Sequence, residues 1–382
     1  MQAGKLLSFA VRFPSRRMTN DFWREHHADM VAQIEDLSLN RAWSHKEKGT
    51  SSQLFDEAMS PYLSDPFRGC KNRFWLGENE DPIELEANAA KEAVARAGLS
   101  LADIDYVIAG SFFSAHIDIG NAAYIAKHLG LSCPVMNLEA ACSASLLGIE
   151  LALALVESGR ARRVLLIGSC FYSLRAPSDE PVSIANGDGI CAMVVGPANE
   201  PFFLGSHTVN TRDTCGALTI DLTSVREKPA LRMRLAPAGG RLIRQAAEKF
   251  LPECVHGVLQ KTGLALQDID FFAFNAATAW MIPFAVRSLG IDPNRTLNTH
   301  STFANTGPAL VPTSLFYGAH AGLIPEGGLV LAYGIGNTSN ASAMVFRWKD
   351  VKLAPIQIPL VRDAESETAS EKGCEKRSQK LG

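Results

Sequence analysis

Long apolar runs, metal-ligand clusters and an excess of either charge are all missing from this sequence. No stretch reaches the ~20 apolar residues of a membrane-spanning helix, so no such span is expected. The eight cysteines stand at 70, 133, 142, 170, 191, 215, 254 and 374, and no two form a CxxC pair. Without ligand spacing, zinc is not expected. In a long chain without a secretory leader the thiols are expected to stay reduced. The opening MQAGKLLSFAVRFPSRR lacks the apolar core and cleavage site of such a leader, and reads as a short strand ending at Pro14. Basic and acidic residues number 37 and 40, a net charge of −3, which gives no global field for nucleic acid or an anionic membrane. The expectation is a cytoplasmic protein with no nucleic-acid partner, no membrane and no bound metal.

What the chain does have is 47% hydrophobic and 20% charged residues, ordinary for a globular protein with a sizeable core. Its 382 residues suit two domains or one fused pair. It also repeats itself. GLSLADIDY at 98–106 returns as GLALQDIDF at 263–271, and at the same offset of 165 VLLIGS at 164–169 falls on LVLAYG at 329–334. Two matches at one offset point to duplicated architecture, against the plainer reading that α/β segments all look alike. The pattern predicts, in the first half, helices 84–97 and 143–158 and strands 105–111, 163–169 and 190–196. In the second half it predicts helices 242–261, 279–289 and 308–321 and strands 270–275, 328–334 and 341–348. Alternating helices and strands, several strands apolar throughout, predict α/β layers with sheets covered on both faces. The expected architecture is two similar halves, 1–200 and 201–350, related by a pseudo-dyad. Residues 15–80 fall outside the repeat, with a loop-like SHKEKGTSS at 44–52. A tail, 351–382, nearly devoid of apolar residues from about 362, is expected to be mostly disordered.

Cys142 is the residue with the most chemistry to offer. It follows the strand-like PVMNLEA, opens the 143–158 helix and is flanked by Ala140, Ala141 and Ala144. A thiol at a helix N-terminus meets the positive end of the dipole and free N–H groups, which favour thiolate. A small buried apolar residue is the equally simple alternative. A nucleophilic cysteine generally needs a base and oxyanion donors, and the second half offers FNAATAW at 274–280 and NTHSTFANTGPA at 298–309. Asn275 and Asn305 lie thirty residues apart, and His300 lies five before Asn305. Either asparagine also suits a turn or helix cap. YGIGNTSNAS at 333–342 is a Gly-rich turn in which Gly336 can bring a bare N–H close to a reacting carbonyl, or simply close a hairpin.

On EAACSAS around Cys142, NGDGICAMVVG at 186–196, ANTG at 304–307, GIGNTSNASAMVFRW near the end and RFPSRRMTND near the start, the chain resembles the thiolase-fold enzymes, and within them ketosynthase III. The resemblance covers most of residues 1–350. It implies a layered αβαβα fold with mixed sheets, and synthesis of β-ketoacyl chains on acyl carrier protein. It maps the nucleophile onto Cys142, the triad asparagine onto Asn305, and the oxyanion hole onto the N–H groups of Cys142 and Gly336. It departs at 275, where the family carries a histidine and this chain reads NAAT. A subset of ketosynthase III-like enzymes in natural-product pathways carries a histidine five residues before the last triad position, and His300 has that spacing. The implied triad is Cys142, His300 and Asn305, with Asn275 as a neutral donor. Hydroxymethylglutaryl synthase shares the fold, but no matching glutamate stands near the nucleophile.

The implied cycle loads an acyl group from carrier protein or coenzyme A onto Cys142 and passes it to a second thioester, in ping-pong fashion and with no permanently bound cofactor. Asn305, where esterifying members resemble an Asp-assisted pair, tilts the expectation towards carbon–carbon bond formation in polyketide or antibiotic biosynthesis. An O- or N-acyltransferase is the alternative. A non-catalytic partner of a heterodimer would have no need to keep Cys142. Arg226, Arg232 and Arg241, in a basic stretch with Lys228, Arg234 and Arg244, are candidates for the phosphates of phosphopantetheine or the acidic face of a carrier, or else plain solvated surface. The family resemblance also implies a homodimer, with residues 116–121 bordering the partner's site.

Overall fold

A computed structural model describes residues 3–45, 53–116, 118–225, 228–337 and 339–361. The expected loop at 44–52 lies, from residue 46, outside these, as does everything from 362.

The two halves build the same sheet. In the first, strands run in the order Lys352–Leu353, Ala3–Arg12, Gly189–Ala198, Val164–Cys170, Tyr106–Phe112, Val135–Asn137. In the second the order is Phe203–Asn210, Asn340–Arg347, Leu329–Gly336, Phe271–Phe274. Val164–Cys170 is parallel to Tyr106–Phe112 and antiparallel to Gly189–Ala198. Leu329–Gly336 is likewise parallel to Phe271–Phe274 and antiparallel to Asn340–Arg347. The sequence repeat is therefore a repeat of mixed-sheet topology, and it extends to single hydrogen bonds. Helices Pro82–Arg96 and Gly239–Thr262 both exit through a left-handed glycine, Gly98 (φ 70°) and Gly263 (φ 68°). Just beyond, Asp103 accepts from the Ser100 N–H at 2.9 Å and Asp268 from the Ala265 N–H at 2.8 Å. The carboxylates of Asp105 and Asp270 then accept from N–H groups at the start of the next core strand.

Helices Ala144–Glu157 and Leu310–His320 pack between the sheets. Both are apolar nearly all round, as a helix covered on every side must be. Pro82–Arg96 packs outside the first sheet and Gly239–Thr262 outside the second, which completes five layers, αβαβα. Strands such as Val164–Cys170, buried at every position, follow from sheets covered on both faces. Outside the repeat, 20–45 and 53–59 are largely helical, and Leu218–Val225 pairs with Lys228–Leu235 in a two-stranded ribbon.

The tail starts later than 351. Lys352–Leu353 pairs with Ala3–Arg12, the Ala354 N–H donates to Phe9 O at 2.8 Å, and Val351, Leu353, Ile358 and Leu360 pack on the core. Those four apolar side chains hold the chain to the body through 361.

Candidate active site

Cys142 lies in the tight turn Ala141–Ser143, one step before the helix that begins at Ala144. The turn is strained, because Ala141 sits at φ 46° in the left-handed region, a conformation costing a residue with a Cβ on the order of 1 kcal/mol. It throws the cysteine out of the strand-to-helix path, and the residue is partly exposed. Its sulfur lies within reach of the backbone N–H groups of Cys142 itself and of Asn337, both of which favour thiolate. Desolvation outweighs them and pushes the thiol up to about 12. The helix-terminus expectation of an acidified thiol is reversed here, and Cys142 at rest is a neutral S–H.

Gly336, at the end of the Leu329–Gly336 strand, lies against the Ala141–Ser143 turn. A methyl group there would run into the Ala140 carbonyl oxygen and Ser143 Oγ, so glycine is required for the approach. The next residue, Asn337 (φ 45°), delivers the N–H that reaches the sulfur. The Gly-rich turn thus contributes to the surroundings of Cys142 through 337 as well as 336.

Asn305 is clamped across the halves. Its N–H donates to Ala185 O at 3.0 Å, and its O accepts from the Gly187 N–H at 2.9 Å. The NGDG segment at 186–189 therefore works as the clamp. The Asn305 side-chain Oδ1 accepts from the Gly307 N–H at 3.0 Å, which fixes the amide so that Nδ2 donates to the Tyr172 hydroxyl at 3.0 Å. Tyr172, 2% exposed, packs with Phe112, Phe113, Cys170 and Ala141, the residue next to Cys142. Burial and the neighbouring Cys170 and Cys142 thiols hold its phenol well above the usual 10. Cys170 is pushed up by burial and by Cys142 and interacts with the Tyr172 hydroxyl. Below them Asp188, buried, accepts from the N–H groups of Leu76 and Ser173, and burial raises it to about 7. Neither Tyr172 nor Cys170 was signalled by spacing or motif.

Asn275 ends the Phe271–Phe274 strand and donates Nδ2 to Ile335 O at 2.9 Å, while its buried Oδ1 has no partner among the described residues. It braces the strand that carries Gly336. His300 begins the short helix His300–Phe303 and is 0% exposed. Its Nδ1 lies 3.2 Å from Ala276 O, which can only accept, so Nδ1 carries the proton. Nε2 is then a bare lone pair, buried and without a partner among the described residues. Desolvation lowers the ring to about 4, with Arg73 acting in the same direction. No hydrogen bond joins His300 to Cys142 among the described residues. The two are related through Ala276, Asn275, Ile335 and Gly336 along the second-half side of the site.

Of the basic candidates, Arg226 lies outside the described residues, and Arg232 is placed only as part of the Lys228–Leu235 strand. Arg241 is exposed on the Gly239–Thr262 helix, whereas Arg244 is engaged by Asp56 and Glu248 at 3.2 and 3.0 Å. A cleft of 450 Å³ opens beside the segment leading to Cys142, lined by Phe113, His116, Leu138, Glu139 and Arg175 among others. Among the described residues no group of three His, Cys, Asp or Glu is placed to hold a metal, and no helix is long and apolar enough to cross a membrane.

Known proteins were compared with this arrangement. The family model 3-oxoacyl-[acyl-carrier-protein (ACP)] synthase III matches residues 136–211, and its C-terminal counterpart matches 259–348. The β-ketoacyl-[acyl-carrier-protein] synthase III of Cereibacter sphaeroides is 30% identical over 293 residues, covering 73% of this chain and 88% of that one. This chain belongs to the β-ketoacyl-[acyl-carrier-protein] synthase III family. The two matched segments hold Cys142 and Tyr172 in one and Asn275, His300, Asn305 and Gly336 in the other. The synthase III fold itself is shared with the crystal structure of 3-oxoacyl-(acyl carrier protein) synthase III from Pseudomonas aeruginosa PAO1 (TM-score 0.72, 20% identity, 93% of this chain and 100% of that one). It is also shared with the priming β-ketosynthase from the R1128 polyketide biosynthetic pathway (TM-score 0.72, 21% identity, 91% of this chain and 97% of that one).

Proposed function

We propose that this protein is a condensing enzyme of the ketosynthase III type, which takes an acyl group from coenzyme A or a carrier protein onto Cys142 and joins it to a second thioester. One observation carries the reading: a cysteine on a strained turn, with two backbone N–H groups at its sulfur and a clamped Asn305 one side chain away. Cys142 attacks the thioester, the N–H groups of the Cys142 and 336–337 turns take the oxyanion, and the carrier thiol leaves. With the thiol neutral at rest, the proton goes to a base. His300 is the base in this reading, because its Nδ1–H is anchored and its Nε2 lone pair is unspent. The histidine absent at 275 and present at 300 supports a place among natural-product enzymes of polyketide type, acting in the cytoplasm. Exposed Ile119 (55%) and Leu174 (37%) beside the cleft are apolar surface that a second copy would cover in a homodimer. We retain the division into halves 1–200 and 201–350.

Intact-mass spectrometry after incubation with acyl-coenzyme A or acyl-carrier tests the assignment. The wild type should gain one acyl group and Cys142→Ala none. A full-stoichiometry adduct on Cys142→Ala would sink it. The mass of the released product then separates a β-ketoacyl chain from an ester or amide.

A further inference from the structure

We propose that the Tyr172 hydroxyl, fixed 3.0 Å from Asn305 Nδ2 beside the Ala141–Ser143 turn, is a catalytic hydrogen-bond donor of the transfer half-reaction, acting together with Asn305. This rests on the condensing reading above.

The geometry commits one Nδ2 proton of each asparagine to a partner inside the protein. A condensation needs an enolate oxygen held while carbon attacks carbon, and a single amide is a sparse cradle for that charge. Asn305 offers one remaining Nδ2 proton, the other being given to Tyr172. Asn275 gives one Nδ2 proton to Ile335 O, which holds its amide to the Gly336 strand. Tyr172 accepts from Asn305, and this leaves its own O–H proton to donate.

The resting acceptor of that proton is soft. The hydroxyl interacts with Cys170, whose sulfur is a weak acceptor and yields readily to an oxyanion. Gly307 (φ 56°) presses on the same cysteine, where an added Cβ would stand 2.9 Å from its Cβ, so Cys170 has little room to move. Phe112 and Phe113, with ring centroids 5.9 and 5.2 Å from that of Tyr172, fix the phenol plane. Burial keeps the phenol protonated at neutral pH, so it donates and does not act as a base.

The step balances without a proton leaving tyrosine. A thioester carrying a carboxylate on its α carbon loses carbon dioxide, and the electron pair of the broken C–C bond forms an enolate. Tyr172 O–H and the second Asn305 N–H hold its oxygen. The enolate carbon attacks the acyl carbonyl on Cys142, the new C–C bond forms, and sulfur departs as thiolate to be reprotonated.

Tyr172→Phe removes one oxygen and keeps the ring. Loading of Cys142, followed by intact mass, should stay within about threefold of wild type. Transfer from the preformed acyl-enzyme to the α-carboxylated thioester should slow by about 10- to 100-fold. Transfer within twofold of wild type overturns the proposal. So does an equal fall in both half-reactions, which would mark Tyr172 as packing alone. A wild type that takes no acyl group on Cys142 overturns the condensing reading itself, and is scored before the variant. If Tyr172→Phe fails to fold, 3-fluorotyrosine at 172 keeps the shape with a more acidic hydroxyl. Transfer should then change by more than twofold with loading unchanged, and no change in transfer overturns the proposal.

Discussion

At the scale of single residues, the site is a contest between burial and local stabilisation, and burial wins. Cys142 is raised to about 12 although two N–H groups favour its thiolate, and His300 is lowered to about 4 although the Ala276 carbonyl favours its cation. The Cys142 thiol and the His300 ring are thus both neutral at rest. His300→Ala should slow Cys142 loading by on the order of a hundredfold or more, and Asn275→Ala far less. Stopped-flow loading kinetics decide it, and equal losses would place the base elsewhere. The histidine also leaves a mark on stability. The unfolded ring protonates near its ordinary 6.5, but the folded one only near 4, so the unfolded state binds more protons between these values. Stability is lost as pH falls through that window, by at most about 3 kcal/mol. The melting-temperature gap between wild type and His300→Ala should therefore shift against the wild type from pH 7 to pH 4.5. A pH-independent gap would mean that the ring is not held neutral.

At the scale of elements, two turns from opposite halves meet at the sulfur, and each is shaped by one backbone constraint. Gly336→Ala would force the nucleophile turn away from the Gly-rich turn, since Ala140 O and Ser143 Oγ already fill the space a methyl needs. Overpacking of this kind costs about 1–3 kcal/mol, and we expect a melting temperature lowered by a few degrees with loading reduced about tenfold or more. Unchanged loading would show that the turns do not need this approach. Much of the framework was legible beforehand. The Gly-Leu exits and Asp103/Asp268 caps are local, so they left the same letters 165 residues apart. Cys142, Gly336 and Asn305 were legible through motifs and now stand at one place. Tyr172 was not, because it joins the site by a bond to Asn305 across 133 positions of sequence, which no local pattern records. The thiol's raised pKa was missed for a related reason, since a helix-terminus argument counts the nearest dipoles and omits the two sheets that exclude water.

At the scale of the whole molecule, the duplicated halves explain why the site lies where it does. Each half ends core strands towards the middle layer, so the ends of Tyr106–Phe112, Val164–Cys170 and Leu329–Gly336 converge on one helix start, with polar loops from both halves closing over it. The first sheet has a longer edge than the second, and the chain after 350 covers it. Ala354 N donates to Phe9 O, the Tyr317 hydroxyl to Ile358 O at 2.5 Å, and Val361 N to Thr302 Oγ1 at 3.0 Å. The last bond matters most, because Thr302 belongs to the helix that carries His300. The edge segment therefore ties the N-terminal strand to the helix bearing His300. A chain ending at Asp350 should melt several degrees below one ending at Val361, since it exposes Val351, Leu353, Ile358 and Leu360, partly buried side chains worth about 1 kcal/mol each. Its loading of Cys142 should fall further than the stability loss alone explains. Calorimetry and intact mass on the two truncations test this, and equal melting and equal loading would mean that the segment only lies on the surface.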